Sequence, residues 1–223
     1  MSNSLPCDKA DVQRGLVPVI VRNVMTEDVT TVSPDDTLQQ AYEIIQTKNY
    51  DCLPVTANRR VVGIIQLTDI YEACMRDGRQ AALPRPVKEF MVPDPVTVRP
   101  DDLVETAAKL MFKRDIPLLP VVHGERLVGV IHEHDIFRAF AHLLGVDSGT
   151  IRLTLVVPDR VGQLARIAEL IRDAGVAIRN VATFRSSVLD QYQIIIRVET
   201  EASRPLIDLL ERHGYKVLHV LED

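Results

Sequence analysis

The sequence predicts a mixed α/β (α+β) protein: two β-α-β-β-α repeats packed as a pseudo-two-fold pair, then a β-α-β-β-α-β module. Three observations predict this. Residues 24–73 align with residues 90–139 at a constant offset of 66 without a gap. Each copy carries a helical hydrophobic period on either side of two β-type runs. From Ile151 the pattern changes, with Ile151, Leu153, Leu155 and Val157 alternating as in a strand with one buried face.

The repeat is explicit in matched pairs such as Met25/Met91, Pro34/Pro100, Asp35/Asp101, Asp36/Asp102, Pro54/Pro120, Gly63/Gly129 and Asp69/Asp135. Such self-similarity marks a duplicated unit. A short strand is expected first, at 29–32 and at 96–98. Proline and two aspartates then open a helix, where carboxylates suit free backbone N–H groups and the helix dipole. That reading accounts for the paired carboxylates without acid–base chemistry. Leu38, Ala41, Tyr42 and Ile45 form one helical face, which Val104, Ala107, Ala108 and Met111 repeat. Strands at 52–56 and 61–65, and again at 118–122 and 127–131, flank short polar turns, as in hairpins. A second helix starts near Thr68 and near His134. A unit of about 50 residues buries too little surface alone, so the copies are expected to pack together.

The expected boundaries are an N-terminal extension (1–16), a first repeat (17–76), a linker rich in Gly and Pro (77–86), a second repeat (87–144) and a third module (150–223). In that module a turn at 158–162 precedes a helix carrying Leu164, Ile167, Ala168 and Ile171. Gly175 ends it in a left-handed conformation. Strands at 176–184 and 192–198 surround a polar turn. Ser203 and Pro205 start a helix that Gly214 ends, and 216–221 is the last strand.

Composition narrows the function. A net charge of −5, no Trp and 4% aromatic residues offer neither a basic face nor a stacking platform for nucleic acid. Cys7, Cys52 and Cys74 are few and far apart, which suggests no disulfide framework and a cytoplasmic setting. No signal peptide or membrane-spanning run is evident. No P-loop, nucleophile elbow or dinucleotide fingerprint is present, so catalysis has no positive support. The run His132-Glu133-His134-Asp135 invites a metal reading. It lacks the His-Glu-x-x-His helix spacing, because Ile136 stands where the second His belongs, and no metal is expected. Cys52 reads as core packing.

Leu53-Pro54-Val55 and its copy Leu119-Pro120-Val121, each followed by a Gly, two apolar residues, three variable residues and Asp-Ile, resemble the CBS repeat, and the tandem resembles a CBS pair (Bateman module). Asp159-Arg160-Val161-Gly162-Gln163-Leu164 resembles the β1–α1 turn of the ACT domain, a ferredoxin-like fold, with Val161 in place of the usual Pro. The order CBS–CBS–ACT, with the junction at 140–145, is similar to the acetoin-utilisation regulators.

The resemblance implies an adenosine-type ligand (AMP, ADP, ATP or S-adenosylmethionine) in the cleft between repeats. Asp69 and Asp135 then hold ribose hydroxyls. Gln66 and His132 stand where the family carries Thr or Ser, so the sites are altered there. Tyr50, Asp51, Cys52 and Pro54, and Ile116, Pro117, Leu118 and Pro120, match the adenine-lining segments, with Ile64 and Val130 against the base. At the ACT module it implies an amino acid held by Asp159, Val161, Gly162, Gln163, Leu164 and Asn180. The structural alternatives are that the two acids merely begin helices and that Gly162 only permits a turn. The expected function is a non-catalytic, ligand-sensing regulator acting on a protein partner in acetoin or acetate metabolism. The alternative is a homodimeric scaffold with vestigial pockets.

Overall fold

The computed structural model describes residues 20–146, 149–185 and 191–222. The expected N-terminal extension and the polar turn at 186–190 lie outside the described residues. The chain divides into two compact units, residues 1–139 and 140–223.

In the first unit, α1 (Leu38–Lys48) is followed by the hairpin β1 (Cys52–Ala57) and β2 (Arg60–Gln66), then by α2 (Leu67–Asp77). A short α3 (Arg79–Ala82) and β3 (Val92–Pro93) lead into the second copy. There α4 (Val104–Arg114), β4 (Leu118–His123), β5 (Arg126–His132) and α5 (Glu133–Leu143) repeat the order. Leu38, Ala41 and Ile45 are fully buried, as are Val104 and Ala107 on the equivalent face. Thr37 and Gln40 form a capping box at the start of α1. Asn49 and Asp115, one repeat apart, end α1 and α4 in the left-handed region (φ 54° and 53°). The first hairpin turns through Asn58 and Arg59, both left-handed (φ 52° and 66°). Two such residues in succession match the twist of the flanking strands.

Three expectations are revised. The leading strands at 29–32 and 96–98 reduce to single parallel bridges, Val32 to Val55 and Val98 to Val121. The aspartates do not cap the helix. Asp36 and Asp102 accept hydrogen bonds from the Ser33 and Arg99 backbone N–H groups (2.7 and 2.8 Å), which tightens the turn before it. Segment 77–86 is more than a spacer, because it carries α3 and contributes Ala82 and Leu83 to the first core.

The two copies are bonded reciprocally. The sheet runs β1-β2-β5-β4, and β2 meets β5 at Arg60 and Arg126, which are equivalent residues. The lead-in of each copy crosses to the other. Thr26 bridges Val130, as Val92 pairs with Ile64. The Val21 N–H donates to Asp102 O (2.9 Å), as Val87 N–H does to Asp36 O (2.8 Å). Arg22 pairs with Asp101 and Lys88 with Asp35, both at 2.7 Å. The pairing with Asp35 holds the Lys88 ammonium above its usual range. A small apolar cluster of Cys52, Ile64, Leu118 and Val130 is its own image under the 66-residue offset. Each contact and its copy define a local two-fold relation.

The second unit contains β6 (Ile151–Pro158), α6 (Gln163–Asp173), β7 (Ala177–Arg185), β8 (Gln191–Glu199), α7 (Arg204–Arg212) and β9 (Lys216–Glu222). Its antiparallel sheet has the order β7-β8-β6-β9, a split β-α-β arrangement. Ile167 and Ile171 of α6 and Leu206 and Leu210 of α7 share one core with Leu153, Leu155 and Ile196. Gly175 (φ 72°) lets the chain leave α6.

Candidate functional site

In the first unit, each hairpin delivers its predicted residues to the point where the second helix of the repeat begins. Cys52 pairs with Gln66 and Pro54 with Ile64. Leu118 pairs with His132 and Pro120 with Val130. The Leu67 N–H donates to Asp51 O (2.9 Å), and the Glu133 N–H to Pro117 O (3.1 Å), so both helices start against the 51 and 117 segments. Tyr50 packs partly on the first core. The Ile116 N–H donates to Met111 O and closes α4 (3.2 Å).

The two acids occupy equivalent positions in different surroundings. Asp69 Oδ2 accepts from the Gln66 N–H at 2.8 Å, and Asp135 Oδ2 from the His132 N–H at 2.9 Å. Asp69 is half-buried, and its carboxyl lies above the usual range because desolvation outweighs that hydrogen bond. Among the described residues its second oxygen takes no partner. Asp135 is only 4% exposed. Its Oδ1 lies 3.2 Å from His134 Nε2 and 3.7 Å from an Arg138 guanidinium nitrogen, and its Oδ2 lies 3.5 Å from His132 Nδ1. Burial lowers the pKa of His132, against the pull of Asp135 and of Asp51 from the other repeat. The donor atoms of His132, His134 and Asp135 all lie within 4.8 Å of one another. Burial, then Asp51 and Asp69, push the Cys52 thiol up to about 12, in keeping with a packing role.

A cleft of about 290 Å³ in the first unit is lined by residues the sequence did not single out. Thr31 and Val29 of the first lead-in face Thr56, Arg59 and Arg126. None of the predicted residues borders it. It arises because a lead-in crosses to the other copy, and no local pattern records that crossing.

In the second unit a cleft of about 300 Å³ lies at the start of α6. Gly162, Gln163 and Leu164 line it as predicted, joined by Arg160, Thr183 and Tyr192. Three other predicted residues lie differently. Asp159 pairs with Arg185 at 3.0 Å. Val161 is fully exposed. The Asn180 side-chain amide donates to the Leu143 carbonyl.

Among the described residues, no helix is long and apolar enough to cross a membrane.

The CBS domain model matches residues 21–76 and again 87–142. The CBS domain-containing protein YhcV of Bacillus subtilis is 32% identical over 111 residues, covering 50% of this chain and 78% of YhcV. The inosine-5′-monophosphate dehydrogenase of Korarchaeum cryptofilum is 30% identical over 151 residues, 65% of this chain. The match spans only 30% of that enzyme's length. Among solved structures, CBSX2 in complex with AMP has a TM-score of 0.50 at 25% identity, covering 55% of this chain and 96% of CBSX2. The CBS domain pair of MJ0100, in complex with 5′-methylthioadenosine and S-adenosyl-L-methionine, has a TM-score of 0.51 at 26% identity, with 56% and 98% covered. AcuB of Vibrio cholerae has a TM-score of 0.53 at 27% identity, with 59% and 96% covered. A family match in both halves of a reciprocally bonded duplication leads to one assignment: the chain belongs to the CBS domain family.

Proposed function

We propose that this protein is a non-catalytic regulator that senses an adenosine-type ligand, and that the Asp69 carboxylate marks its working nucleotide site. One observation carries the reading. Asp69 is held by a hydrogen bond from the Gln66 backbone N–H, yet it keeps an oxygen open to vicinal hydroxyl donors. Asp135, its counterpart, is enclosed by His132, His134 and Arg138. The complexes of CBSX2 with AMP and of the MJ0100 pair with S-adenosyl-L-methionine support the ligand class. A ligand bridging two reciprocally bonded repeats favours one relative arrangement of them. It regulates only through differential affinity for two arrangements.

Titration calorimetry with AMP, ADP, ATP and S-adenosylmethionine tests this. The expected result is one nucleotide per chain, lost in Asp69→Asn and retained in Asp135→Asn. No heat with any of the four at millimolar concentration overturns it and favours the scaffold reading. That reading draws on exposed Tyr71 and Phe137, equivalent residues of α2 and α5, together with exposed Met75.

For the second unit, the ACT reading with an amino-acid ligand draws on the cleft at Gly162. There Arg160 offers a partner for a carboxylate. The Asp159 carboxylate, already paired with Arg185, is a weaker partner for an ammonium. A role in acetoin metabolism, and any regulated protein, rest on the likeness to AcuB.

A further inference from the structure

We infer that His132, His134 and Asp135 form a divalent transition-metal site, of the class Zn²⁺ occupies, in the second repeat alone. The inference does not depend on nucleotide binding at Asp69.

The donor set has the right chemistry, since two imidazoles and a carboxylate with an open position are a recurrent Zn²⁺ arrangement. The geometry is close to what a metal needs. With bonds of about 2.0–2.2 Å, tetrahedral ligands stand roughly 3.3–3.6 Å apart. His134 Nε2 lies 3.2 Å from Asp135 Oδ1, and His132 Nδ1 lies 3.5 Å from the other oxygen, Oδ2, so each imidazole faces a different oxygen of the one carboxylate. No pair of donors exceeds 4.8 Å, a gap that a ring rotation closes. The imidazole rings lie 5.4 Å apart, tilted by 30°.

The carboxylate is already oriented, because Asp135 Oδ2 accepts from the backbone N–H of His132, itself a donor residue. Such outer hydrogen bonds fix ligand direction. His132 Nδ1 is buried and makes no hydrogen bond among the described residues. A metal ion gives that lone pair a partner. Arg138, 3.7 Å from Asp135 with an exposed side chain, opposes a cation here and must swing into solvent.

The first repeat serves as an internal control. Its equivalent positions are Gln66, Thr68 and Asp69. They keep the same backbone hydrogen bond and the same helix start, but they offer one carboxylate and no imidazole. The duplication has therefore diverged at two positions that together create a ligand set.

The test uses the tag-free full chain and Zn²⁺ alone in calorimetry, with Co²⁺ absorption as a second probe of coordination. The wild type is expected to bind one equivalent. His132→Gln and His134→Gln are each expected to lose affinity about tenfold or more, while Asp69→Asn leaves it unchanged. His134 is exposed, so its variant is expected to fold, and circular dichroism checks both. Zn²⁺ affinity unaltered in either histidine variant, or no binding tighter than about 100 μM, overturns the inference. Loss of nucleotide binding with Zn²⁺ binding intact refutes only the preceding proposal.

Discussion

The crossing of each lead-in onto the other repeat is tested most sharply by a single methyl group. At Gly63, a Cβ would sit 2.5 Å from Met91 Sδ, 3.0 Å from Met91 Cγ and 3.1 Å from the Val92 carbonyl oxygen. The first two atoms belong to a flexible side chain and can yield. The third is backbone, held in place by the pairing of Ile64 with Val92. Overpacking of this kind costs about 1–3 kcal/mol. Gly63→Ala is therefore expected to destabilise the first unit by about 2 kcal/mol. Met91→Ala alone should cost less than the roughly 2–5 kcal/mol of a fully buried site, because Met91 is half-exposed. In the double variant the two closest contacts vanish and only the carbonyl contact remains. The coupling should be about 1 kcal/mol in favour of the pair. Urea unfolding followed by far-UV circular dichroism measures these values. Hydrogen exchange over residues 60–66 assigns the loss to the first unit. Gly129→Ala with Met25→Ala should behave alike, since the Cβ there would meet Met25 Sδ at 2.7 Å and the Thr26 carbonyl at 3.0 Å. A Gly63→Ala cost below about 0.5 kcal/mol, or strict additivity with Met91→Ala, would refute the reasoning.

Three further outcomes are expected. Cys52, with its thiol pushed up to about 12, should resist alkylation at pH 8 in the folded protein and react once urea unfolds it, as peptide mapping by mass spectrometry will read. Asp77 is held below its usual range by Arg76 and Arg85. Its stabilising contribution is present above the unfolded value of 3.8 and is lost as pH falls through the lower folded value. Asp77→Asn should therefore flatten the acid limb of stability against pH below about pH 4. Gly162 has φ 91° with open space around its Cβ position. Gly162→Ala should cost about 1–2 kcal/mol through backbone strain alone, measured by hydrogen exchange within the second unit.

Much of the fold could be read from the sequence because periodicity is local. The faces of α1 and α4, the two hairpins and the order of the second unit all follow from spacing within a dozen residues. What escaped was produced by distance. Asp35 and Asp101 looked like helix openers, yet they pair with Lys88 and Arg22 across the repeat. The 29–32 strand had the right residues, but Val55 offers it a single bridge. At the candidate sites, the same limit hid the cleft between Thr31 and Arg126. The His132, His134 and Asp135 run stands out in the sequence but is set aside there, because it lacks the His-Glu-x-x-His spacing of a helix. His132 ends a strand while His134 and Asp135 begin a helix, so neither a period of two nor one of 3.6 describes the group.

The partner that Met25 requires, Gly129, is synthesised roughly a hundred residues later. On the ribosome, the first half must therefore wait with its opening segment undocked until the second half has emerged. Such long-range closure slows folding and leaves apolar surface open meanwhile. A chain cut between the halves should yield two fragments, each lacking the strap the other supplies. Mixing them should restore what neither holds alone.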